Sequence, residues 1–327
     1  MKKKVIHYKA LSPAQTARLS AAFDLEYVDV KAPGGEARLR ERLPEAQGLL
    51  GSSFTLSSEL LDLAPRLEAI ASVSVGFDSY DLPELARRGI LLCNTPDVLT
   101  ESVADAAFSL LLASARRTVE LANWVRAGQW RAGLGEAHFG CDVHGKTLGL
   151  VGMGRIGQAI ARRASLGFGM HVNYTARTSK PLANERYGAR FLPLHELLPA
   201  CDFLCVTVPL SDETYHLLGA YELAQLPAHA IVVNVSRGPV LDEAALIAAL
   251  QAGRLRGAGL DVFEREPLAS DSPLLRLPNV VATPHSGSAT HETREAMARC
   301  AVDNLLDALA GKRPANLVNP EVWQARC

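Results

Sequence analysis

Short apolar runs alternate with amphipathic segments along the whole chain. In the first hundred residues the runs are KVIHY, LEYVDV, GLLGSS, LEAIASVSVG and ILLCNT, separated by helical patterns such as SPAQTARLSAAF and DLPELARRG. A second series begins at KTLGLVGMG and continues through MHVNYTA, CDFLCVTVPL, AHAIVVNVS, AGLDVF and NVVATPH. Alternating strands and helices are typical of a parallel sheet that is covered by helices. The pattern predicts an α/β protein with two doubly wound parallel-sheet domains.

The two series are joined by TESVADAAFSLLLASARRTVELANWVRAGQW, which contains neither Gly nor Pro before Gly128. Its apolar positions 103, 106, 107, 110 and 111 have the spacing of a buried helix face, so we expect one long helix that bridges the domains. A later helical pattern, SATHETREAMARCAVDNLLDALAGK, is stopped by Gly311 and Pro314. The tail after it can return to the first domain. We therefore expect a discontinuous domain at residues 1–99 and 288–327, and a second domain at 100–287.

Length and composition narrow the range of functions. The 327 residues are enough for two domains, and 34 basic against 35 acidic residues provide no field that would attract nucleic acid or a membrane. The six cysteines are scattered, without the spacing of a metal site, as expected for reduced thiols in a cytoplasm. The basic start MKKKVIHYKA is followed by polar residues, and no run approaches the ~20 apolar residues of a membrane helix. We expect a cytoplasmic protein with a small-molecule ligand and no metal.

A glycine motif marks the second domain as the nucleotide-binding one. Gly152, Gly154 and Gly157 form G-x-G-x-x-G between the apolar run TLGLV and a helical pattern. The first glycine permits a tight turn, the second lets a pyrophosphate approach the backbone, and the third lets helix and strand pack closely. MHVNYTA then completes a βαβ unit. A mere tight turn is the alternative, but it needs one such glycine rather than three, so the sequence predicts a dinucleotide.

The residues after MHVNYT indicate which dinucleotide binds. Ala176 stands where an Asp or Glu would bind the ribose hydroxyls of NAD, and Arg177, Thr178, Ser179 and Lys180 follow it. A 2′-phosphate carries roughly -1.5 to -2 charges, so a carboxylate here would repel it. Arg177 can pair with that phosphate, while Thr178 and Ser179 add hydroxyl donors. We predict NADP, with NADPH preferred over NADH; the alternative is that these cations are ordinary solvated loop charges.

Three further strand ends carry polar residues. Arg237 follows an apolar run in VVNVSRGPVLDEAAL, Glu264 and Glu266 lie in GLDVFEREPL, and His285 lies in NVVATPHSGSATHETR. Because ligands bind at the carboxyl ends of strands in open α/β sheets, an arginine, an acid and a histidine can converge there. Each also has a simpler interpretation: a surface arginine, a solvated glutamate, a structural histidine. His291 lies inside the predicted helix, so we do not expect it to be the site histidine.

These motifs, together with SVGFDSYD, GMGRIG, VPLSDET and AVDNLL, resemble those of the D-isomer-specific 2-hydroxyacid dehydrogenases over nearly the whole chain. Within that family the chain is most similar to bacterial glyoxylate/hydroxypyruvate and 2-ketogluconate reductases, whose NADP preference agrees with the residues at 176–177. The resemblance implies a Rossmann nucleotide-binding domain, a flavodoxin-like substrate-binding domain formed by the discontinuous segments, and a cleft between the two.

The resemblance also implies that Arg237, Glu266 and His285 are the catalytic triad. Arg237 can hold the substrate carboxylate or carbonyl oxygen through charge-assisted hydrogen bonds. His285 would give a proton to that oxygen as hydride reaches C2, and Glu266 would favour the protonated imidazole. The hydride chemistry itself belongs to the nicotinamide.

Other site residues are carried over by the same resemblance. The backbone amides of Val75 and Gly76 in SVGFD would hold the substrate carboxylate, and Ser53 in GSSF would line the same cleft with Arg237 and His285. Ser286 departs from the isoleucine that is usual after the histidine. The residues implied to contact the cofactor, besides the glycine motif and the segment 177–179, are Arg155, Ile156, Thr207, Pro209, Val235, Asp261 and Gly287.

The expected function is the NADPH-dependent reduction of small 2-oxoacids such as glyoxylate, hydroxypyruvate or 2-ketogluconate to D-2-hydroxyacids. An NAD-dependent dehydrogenase of the D-lactate or phosphite type is an alternative, although phosphite dehydrogenases have a lysine where this chain has Val75. A dinucleotide-sensing scaffold is another, because corepressors of the family keep similar triads. The family also implies a homodimer, with the long helix and the glycine-rich segment RAGQWRAGLGEAHFGCDVHGK as contact elements.

Overall fold

The computed structural model describes residues 1–326. The chain divides into two compact units, the first formed by Met1–Leu99 with the chain from Thr290 onward, and the second by Thr100–Ala289. Each unit is built around a parallel sheet, so the prediction of two doubly wound α/β domains is confirmed. No helix in the described part of the chain combines the length and the apolar character needed to cross a bilayer.

The described residues of the first unit form a five-stranded sheet with the order β2-β1-β3-β4-β5, and every neighbouring pair is parallel. This is the strand order of flavodoxin-like folds. The central strands β3 and β4 are buried along their whole length, as expected for strands with helices on both faces. The strands are β1 (Lys4–His7), β2 (Asp24–Tyr27), β3 (Gly48–Gly51), β4 (Ala69–Ser72) and β5 (Leu91–Cys93).

The C-terminal segment completes this first unit. Its long helix packs against β3, β4 and β5, and the buried Asn319 side chain bonds the backbone of Leu92 and Ile90, each at 2.8 Å. The α-helices of the unit are α1 (Pro13–Ala22), α2 (Gly35–Arg42), α3 (Ser58–Asp62), α4 (Leu82–Arg87), α12 (His291–Leu309) and α13 (Pro320–Gln324), with a 3-10 turn at Leu43–Glu45.

The second unit contains, among the residues described, a seven-stranded parallel sheet with the order β12-β11-β10-β9-β6-β7-β8. The chain runs outward from β6 to β8 and then crosses to β9 on the other side of β6. The β6/β9 boundary is therefore the switch point at which such sheets bind ligands. The strands are β6 (Thr147–Val151), β7 (His171–Thr175), β8 (Arg190–Phe191), β9 (Phe203–Val206), β10 (Ile231–Asn234), β11 (Gly257–Leu260) and β12 (Val280–Ala282).

Helices cover both faces of this sheet. The α-helices are α5 (Thr100–Ala115), α6 (Thr118–Arg126), α7 (Arg155–Arg162), α8 (Pro181–Tyr187), α9 (Leu194–Leu197), α10 (Ala220–Leu223) and α11 (Glu243–Gln251). Short 3-10 turns occur at Glu136–His138, Leu198–Ala200, Gly238–Val240 and Pro273–Arg276, and a π-helical turn at Arg163–Gly167 extends α7.

The prediction of one long helix after residue 100 is wrong, because the segment is two helices, α5 and α6. Arg117 lies between them in the left-handed region, with φ +53°. Its guanidinium bonds the Glu120 carboxylate at 2.7 and 2.6 Å and also the carbonyl of Ala137. The carbonyl of Ala115 accepts a hydrogen bond from the Cys141 N–H at 2.8 Å. These contacts hold the chain in a turn that helical periodicity does not register.

Candidate active site

The glycine motif forms the turn between β6 and α7. Gly152 has φ +106°, and a Cβ there would lie 2.8 Å from the hydroxyl of Thr207, which donates to the Gly152 carbonyl at 3.0 Å. A Cβ on Gly157 would lie 2.4 Å from that same carbonyl oxygen. The first and third glycines are thus required by backbone conformation and close helix–strand packing, as the sequence predicts.

Gly154 differs from the other two, because a Cβ there would meet no protein atom within 4 Å. It is the residue before α7, and the exposed Arg155 and half-buried Ile156 open the helix. The first N–H groups of an α-helix have no intrahelical partners and attract anions. An open approach to such a helix end, at the sheet's switch point, fits the pyrophosphate of a dinucleotide.

The segment after β7 lies beside this turn, since the Gly152 N–H bonds the Thr175 carbonyl at 2.9 Å. Arg177, Thr178 and Ser179 are all exposed, and the Lys180 ammonium donates to the Thr178 hydroxyl at 3.2 Å. Two cations and two hydroxyls are therefore presented at the end of β7, where the sequence predicts the adenosine ribose.

A carboxylate from another loop stands near these cations. The pKa of the Glu213 carboxyl is held below its usual range by the Ser211 hydroxyl, by the backbone N–H of Glu213 itself and by the charge of Arg177. Glu213 is thus in the electrostatic reach of Arg177. The VPLSDET segment, which follows β9, contributes to the charge around the predicted nucleotide position.

The three predicted catalytic residues follow three neighbouring strands. Arg237 comes after β10, Glu266 after β11 and His285 after β12, and these strands are adjacent and parallel in the sheet. Their carboxyl ends therefore lie at one edge. The structure brings His285 and Glu266 into direct contact, with 2.7 Å between Nδ1 of the imidazole and Oε2 of the carboxylate.

Glu266 is held so that its charge is stabilised. Burial alone would raise the pKa of Glu266, but the hydrogen bond and charge of His285, the Phe263 N–H at 3.2 Å and the charge of Arg237 hold that pKa below its usual range. Glu266 therefore stays ionised near neutral pH. With Nδ1 occupied by this carboxylate, Nε2 is the imidazole nitrogen that can exchange a proton with a substrate.

Asp261 fixes the loop that carries His285. His285 has φ +52°, a left-handed conformation that is uncommon for a non-glycine residue. The Asp261 carboxylate is only 2% exposed, and it accepts hydrogen bonds from the Thr283 hydroxyl at 2.6 Å, the Ser286 N–H and hydroxyl at 2.8 and 3.1 Å, and the Gly287 N–H at 2.8 Å. These bonds hold the loop on both sides of the histidine.

The turn that carries Arg237 packs directly on the segment that leads to Glu266. A Cβ on Gly238 would lie 1.8 Å from the carbonyl carbon of Phe263. The arginine backbone is also fixed, because the Asn234 amide donates to the Arg237 carbonyl at 3.0 Å. The spacing between the arginine and the glutamate therefore depends on a backbone contact that only glycine permits.

The remaining predicted residues also lie at strand ends. Thr207 and Pro209 follow β9, Val235 follows β10, and Gly287 follows β12. In the first unit, Ser53 follows β3 and the pair Val75 and Gly76 follows β4, its parallel neighbour. Ser53 is left-handed with φ +58°, and the Val75 carbonyl accepts from the Asn94 amide at 2.8 Å. His291 begins α12 in the first unit, whereas His285 lies in the second.

Two contacts near the predicted site were not expected from the sequence. Nε2 of His216 lies 2.7 Å from the carboxylate of Glu264, which also accepts from the Glu243 N–H at 3.1 Å. Glu264 is therefore bound to neighbouring loops rather than simply solvated. The second contact is made by the hydroxyl of Tyr174, beneath the segment at the end of β7. Both depend on residues whose spacing in the sequence forms no motif.

A glycine-rich turn at the switch point and a histidine paired with a carboxylate at the end of a strand in the same sheet are features typical of nicotinamide-dependent dehydrogenases. Residues 108–287 match the family described as D-isomer specific 2-hydroxyacid dehydrogenase, NAD binding domain. The chain belongs to this family of oxidoreductases, and the sequence-based recognition is confirmed.

Individual relatives extend the match to nearly the whole chain. A glyoxylate/hydroxypyruvate reductase B of Klebsiella pneumoniae is 53% identical over 322 residues, covering 98% of this chain and 100% of that protein. A crystal structure of a protein from Thermus thermophilus matches with a TM-score of 0.89 and 45% identity, over 96% of this chain and 99% of that one. An NADPH-dependent glyoxylate/hydroxypyruvate reductase from Sinorhizobium meliloti, in complex with NADP and malonate, matches with a TM-score of 0.86 and 36% identity over 98% of both chains.

Proposed function

We propose that this protein reduces small 2-oxoacids, such as glyoxylate, hydroxypyruvate and 2-ketogluconate, to D-2-hydroxyacids with NADPH as the hydride donor. The observation that carries the proposal is the 2.7 Å pair between His285 and Glu266, within reach of the charge of Arg237. The similarity to reductases of glyoxylate and hydroxypyruvate supports this substrate class.

The proposed cofactor residues bind different parts of the dinucleotide. The turn at Gly152 and Gly154 would hold the pyrophosphate at the N-terminus of α7, and Arg177 with its neighbouring hydroxyls would hold the 2′-phosphate. Bound NADPH supplies the hydride that reduces the substrate carbonyl. The NADP-bound structure of the Sinorhizobium reductase supports this choice of cofactor.

Arg237 and His285 would act on the substrate. The guanidinium of Arg237 orients the carboxylate or the carbonyl oxygen and polarises the carbonyl. His285 gives the proton on Nε2 to that oxygen, and Glu266 keeps Nδ1 protonated and the ring oriented before and after the transfer. General acid catalysis of this kind typically contributes ~10²–10⁴-fold to the rate.

The assay is a panel of 2-oxoacids with NADPH and, separately, with NADH. We expect oxidation of NADPH with glyoxylate or hydroxypyruvate and at least about a tenfold preference for NADPH, equivalent to about 1.4 kcal/mol. His285→Gln should lower kcat by ~10²-fold or more, with His291→Gln as the matched control. Absence of turnover with every oxoacid would leave the dinucleotide-sensing scaffold as the better interpretation, and equal use of both cofactors would contradict the role of Arg177.

We also propose a homodimer. Within the described residues, α6 has no buried side chain, and Val119 and Val125 on that helix are exposed together with Trp130, Leu134 and Phe139 in the segment that follows. Several large apolar side chains exposed along one stretch of the chain favour an interaction surface there. Light scattering of the purified protein should give twice the 35.1 kDa chain mass; a mass of one chain would exclude the dimer.

A further inference from the structure

Tyr174 is a buried side chain whose polar end lies under the segment at the end of β7. Its exposed fraction is 0%, and its ring packs against Phe191 with 5.5 Å between the ring centroids. The hydroxyl accepts a hydrogen bond from the Lys180 N–H at 2.6 Å and lies 3.3 Å from the Ser179 hydroxyl. The buried tyrosine thus reaches the backbone of the segment that presents Arg177.

The side-chain amide of Asn184, on α8, completes the contacts of this hydroxyl at a distance of 2.9 Å. With its nitrogen toward Tyr174, the amide also donates to the carbonyls of Lys180 and Ala189, each at 3.1 Å. The tyrosine hydroxyl then accepts from Lys180 and Asn184, and its own proton can go to Ser179. A phenolic hydroxyl that donates and accepts in this way has its hydrogen-bonding capacity used by one short segment.

The placement of this hydroxyl is not required by the core. A phenylalanine would fill the same volume, whereas a hydroxyl on a fully buried ring is unfavourable unless it is hydrogen-bonded. Every hydrogen bond of this hydroxyl described above goes to Ser179, Lys180 or Asn184, at or after the predicted 2′-phosphate position. The hydroxyl therefore orders the segment rather than the sheet.

We infer that Tyr174 is a positioning residue for cofactor selectivity, which rests on the proposed NADPH function. By fixing the backbone at Ser179 and Lys180, its hydroxyl holds the exposed Arg177, Thr178 and Ser179 in the arrangement that binds a 2′-phosphate. An ordered segment loses less conformational entropy on binding than a loose one, so the order increases the affinity for ligands that carry the 2′-phosphate. The affinity for ligands without that phosphate changes little.

The test compares binding of adenosine 2′,5′-bisphosphate and AMP by calorimetry, since these probes differ only in the 2′-phosphate. For the wild-type protein we expect the bisphosphate to bind at least about tenfold tighter. Tyr174→Phe should reduce that affinity ratio by about three- to tenfold, because the variant should bind the bisphosphate more weakly while its affinity for AMP stays the same. In steady-state assays the same variant should raise KM for NADPH much more than it lowers kcat.

Two further variants separate the effect of the hydroxyl from a general loss of stability. Tyr221→Phe removes the same atom from a side chain that is 76% exposed, and it should leave the ratio at the wild-type value. Asn184→Ala removes one hydrogen-bond partner of the Tyr174 hydroxyl and should also lower the affinity ratio. If Tyr174→Phe does not fold, Asn184→Ala provides the test of the positioning role.

The outcomes distinguish this inference from the proposed function. If the wild-type ratio is about ten or more and remains unchanged in both Tyr174→Phe and Asn184→Ala, the positioning role is wrong while the NADPH preference stands. A wild-type ratio near one overturns the NADPH preference and the positioning role together. A fall in the ratio in the two variants, but not in Tyr221→Phe, supports the role of Tyr174.

Discussion

Replacement of Gly238 by alanine tests whether the spacing between the arginine turn and the glutamate segment sets the reaction rate. The new Cβ would lie 1.8 Å from the carbonyl carbon of Phe263, 1.9 Å from its oxygen and 2.3 Å from the nitrogen of Glu264, whereas ordinary van der Waals contact begins at 3.4 Å. All three atoms are backbone, so no flexible side chain can relieve the clash. The two segments must separate by more than roughly 1 Å.

This displacement can be converted into expected effects. A misplacement of about 1 Å in a catalytic constellation can cost ~10²-fold in rate, and overpacking typically destabilises a protein by ~1–3 kcal/mol. We therefore expect Gly238→Ala to lower kcat for glyoxylate by about 100-fold, with a drop of a few degrees in Tm. Arg237 and Glu266 are chemically unchanged in this variant, so the fall in kcat would report the change in their relative position.

The assay combines steady-state kinetics with scanning calorimetry, and Gly167→Ala is the matched control. Gly167 is exposed, and a Cβ there would meet no atom within 4 Å, so that variant should keep both kcat and Tm. If Gly238→Ala is folded and its kcat is within a factor of about three of the wild type, the backbone contact does not govern the catalytic geometry. Equal losses in the two variants would also refute the argument.

Three further outcomes follow from individual environments. Asp261→Asn should lower kcat by ~10–100-fold in steady-state assays, because an amide cannot replace a carboxylate that accepts four hydrogen bonds, each worth ~1.5–3 kcal/mol when charge-assisted; unchanged kcat would contradict its role in holding the histidine loop. The lowered pKa of Glu266 predicts that the stability this carboxylate contributes is fully present above the ordinary glutamate pKa of about 4.3 and disappears as the pH falls through the lowered pKa. The unfolding free energies of the wild type and Glu266→Gln, measured in urea, should therefore become equal below that lowered pKa. A difference between them that stays constant with pH would exclude the effect. Burial raises the pKa of Cys201 and Cys205 to about 12, so mass spectrometry should find both unmodified by iodoacetamide near neutral pH until denaturant is added; rapid labelling in the native protein would show that these thiols are accessible.

The sequence predicts best those features that the topology of a parallel sheet determines. The alternation of strands and helices indicates the two sheets, and the glycine motif is recognisable because its three glycines lie close together in the chain, from the turn after β6 to the first turn of α7. Arg237, Glu266 and His285 are far apart in the chain, but each follows a strand. Since β10, β11 and β12 are neighbours, a prediction that relies only on strand ends already brings these three residues to one edge.

The features that the sequence does not predict depend on side-chain contacts or on a single turn. Helical periodicity reports which positions are buried, and it contains no information on the left-handed residue between α5 and α6. The bond between His216 and Glu264 joins loops that are 48 residues apart. Tyr174 looks like an ordinary buried strand residue in the sequence, because the direction of its hydroxyl depends on how α8 and the segment before it fold back over β7.

The strand order also separates the segment proposed to select the cofactor from the histidine loop proposed to transfer the proton. Tyr174 belongs to β7, whereas Asp261 follows β11, and β6, β9 and β10 lie between these two strands. Neighbouring strands are ≈ 4.8 Å apart, so the two side chains act on groups roughly 19 Å from each other. Free-energy effects of substitutions separated by more than about 10 Å usually add. The selectivity lost in Tyr174→Phe and the rate lost in Asp261→Asn should therefore combine without interaction in the double variant, and a strong deviation from additivity would mean that the bound cofactor itself couples the two ends of the sheet.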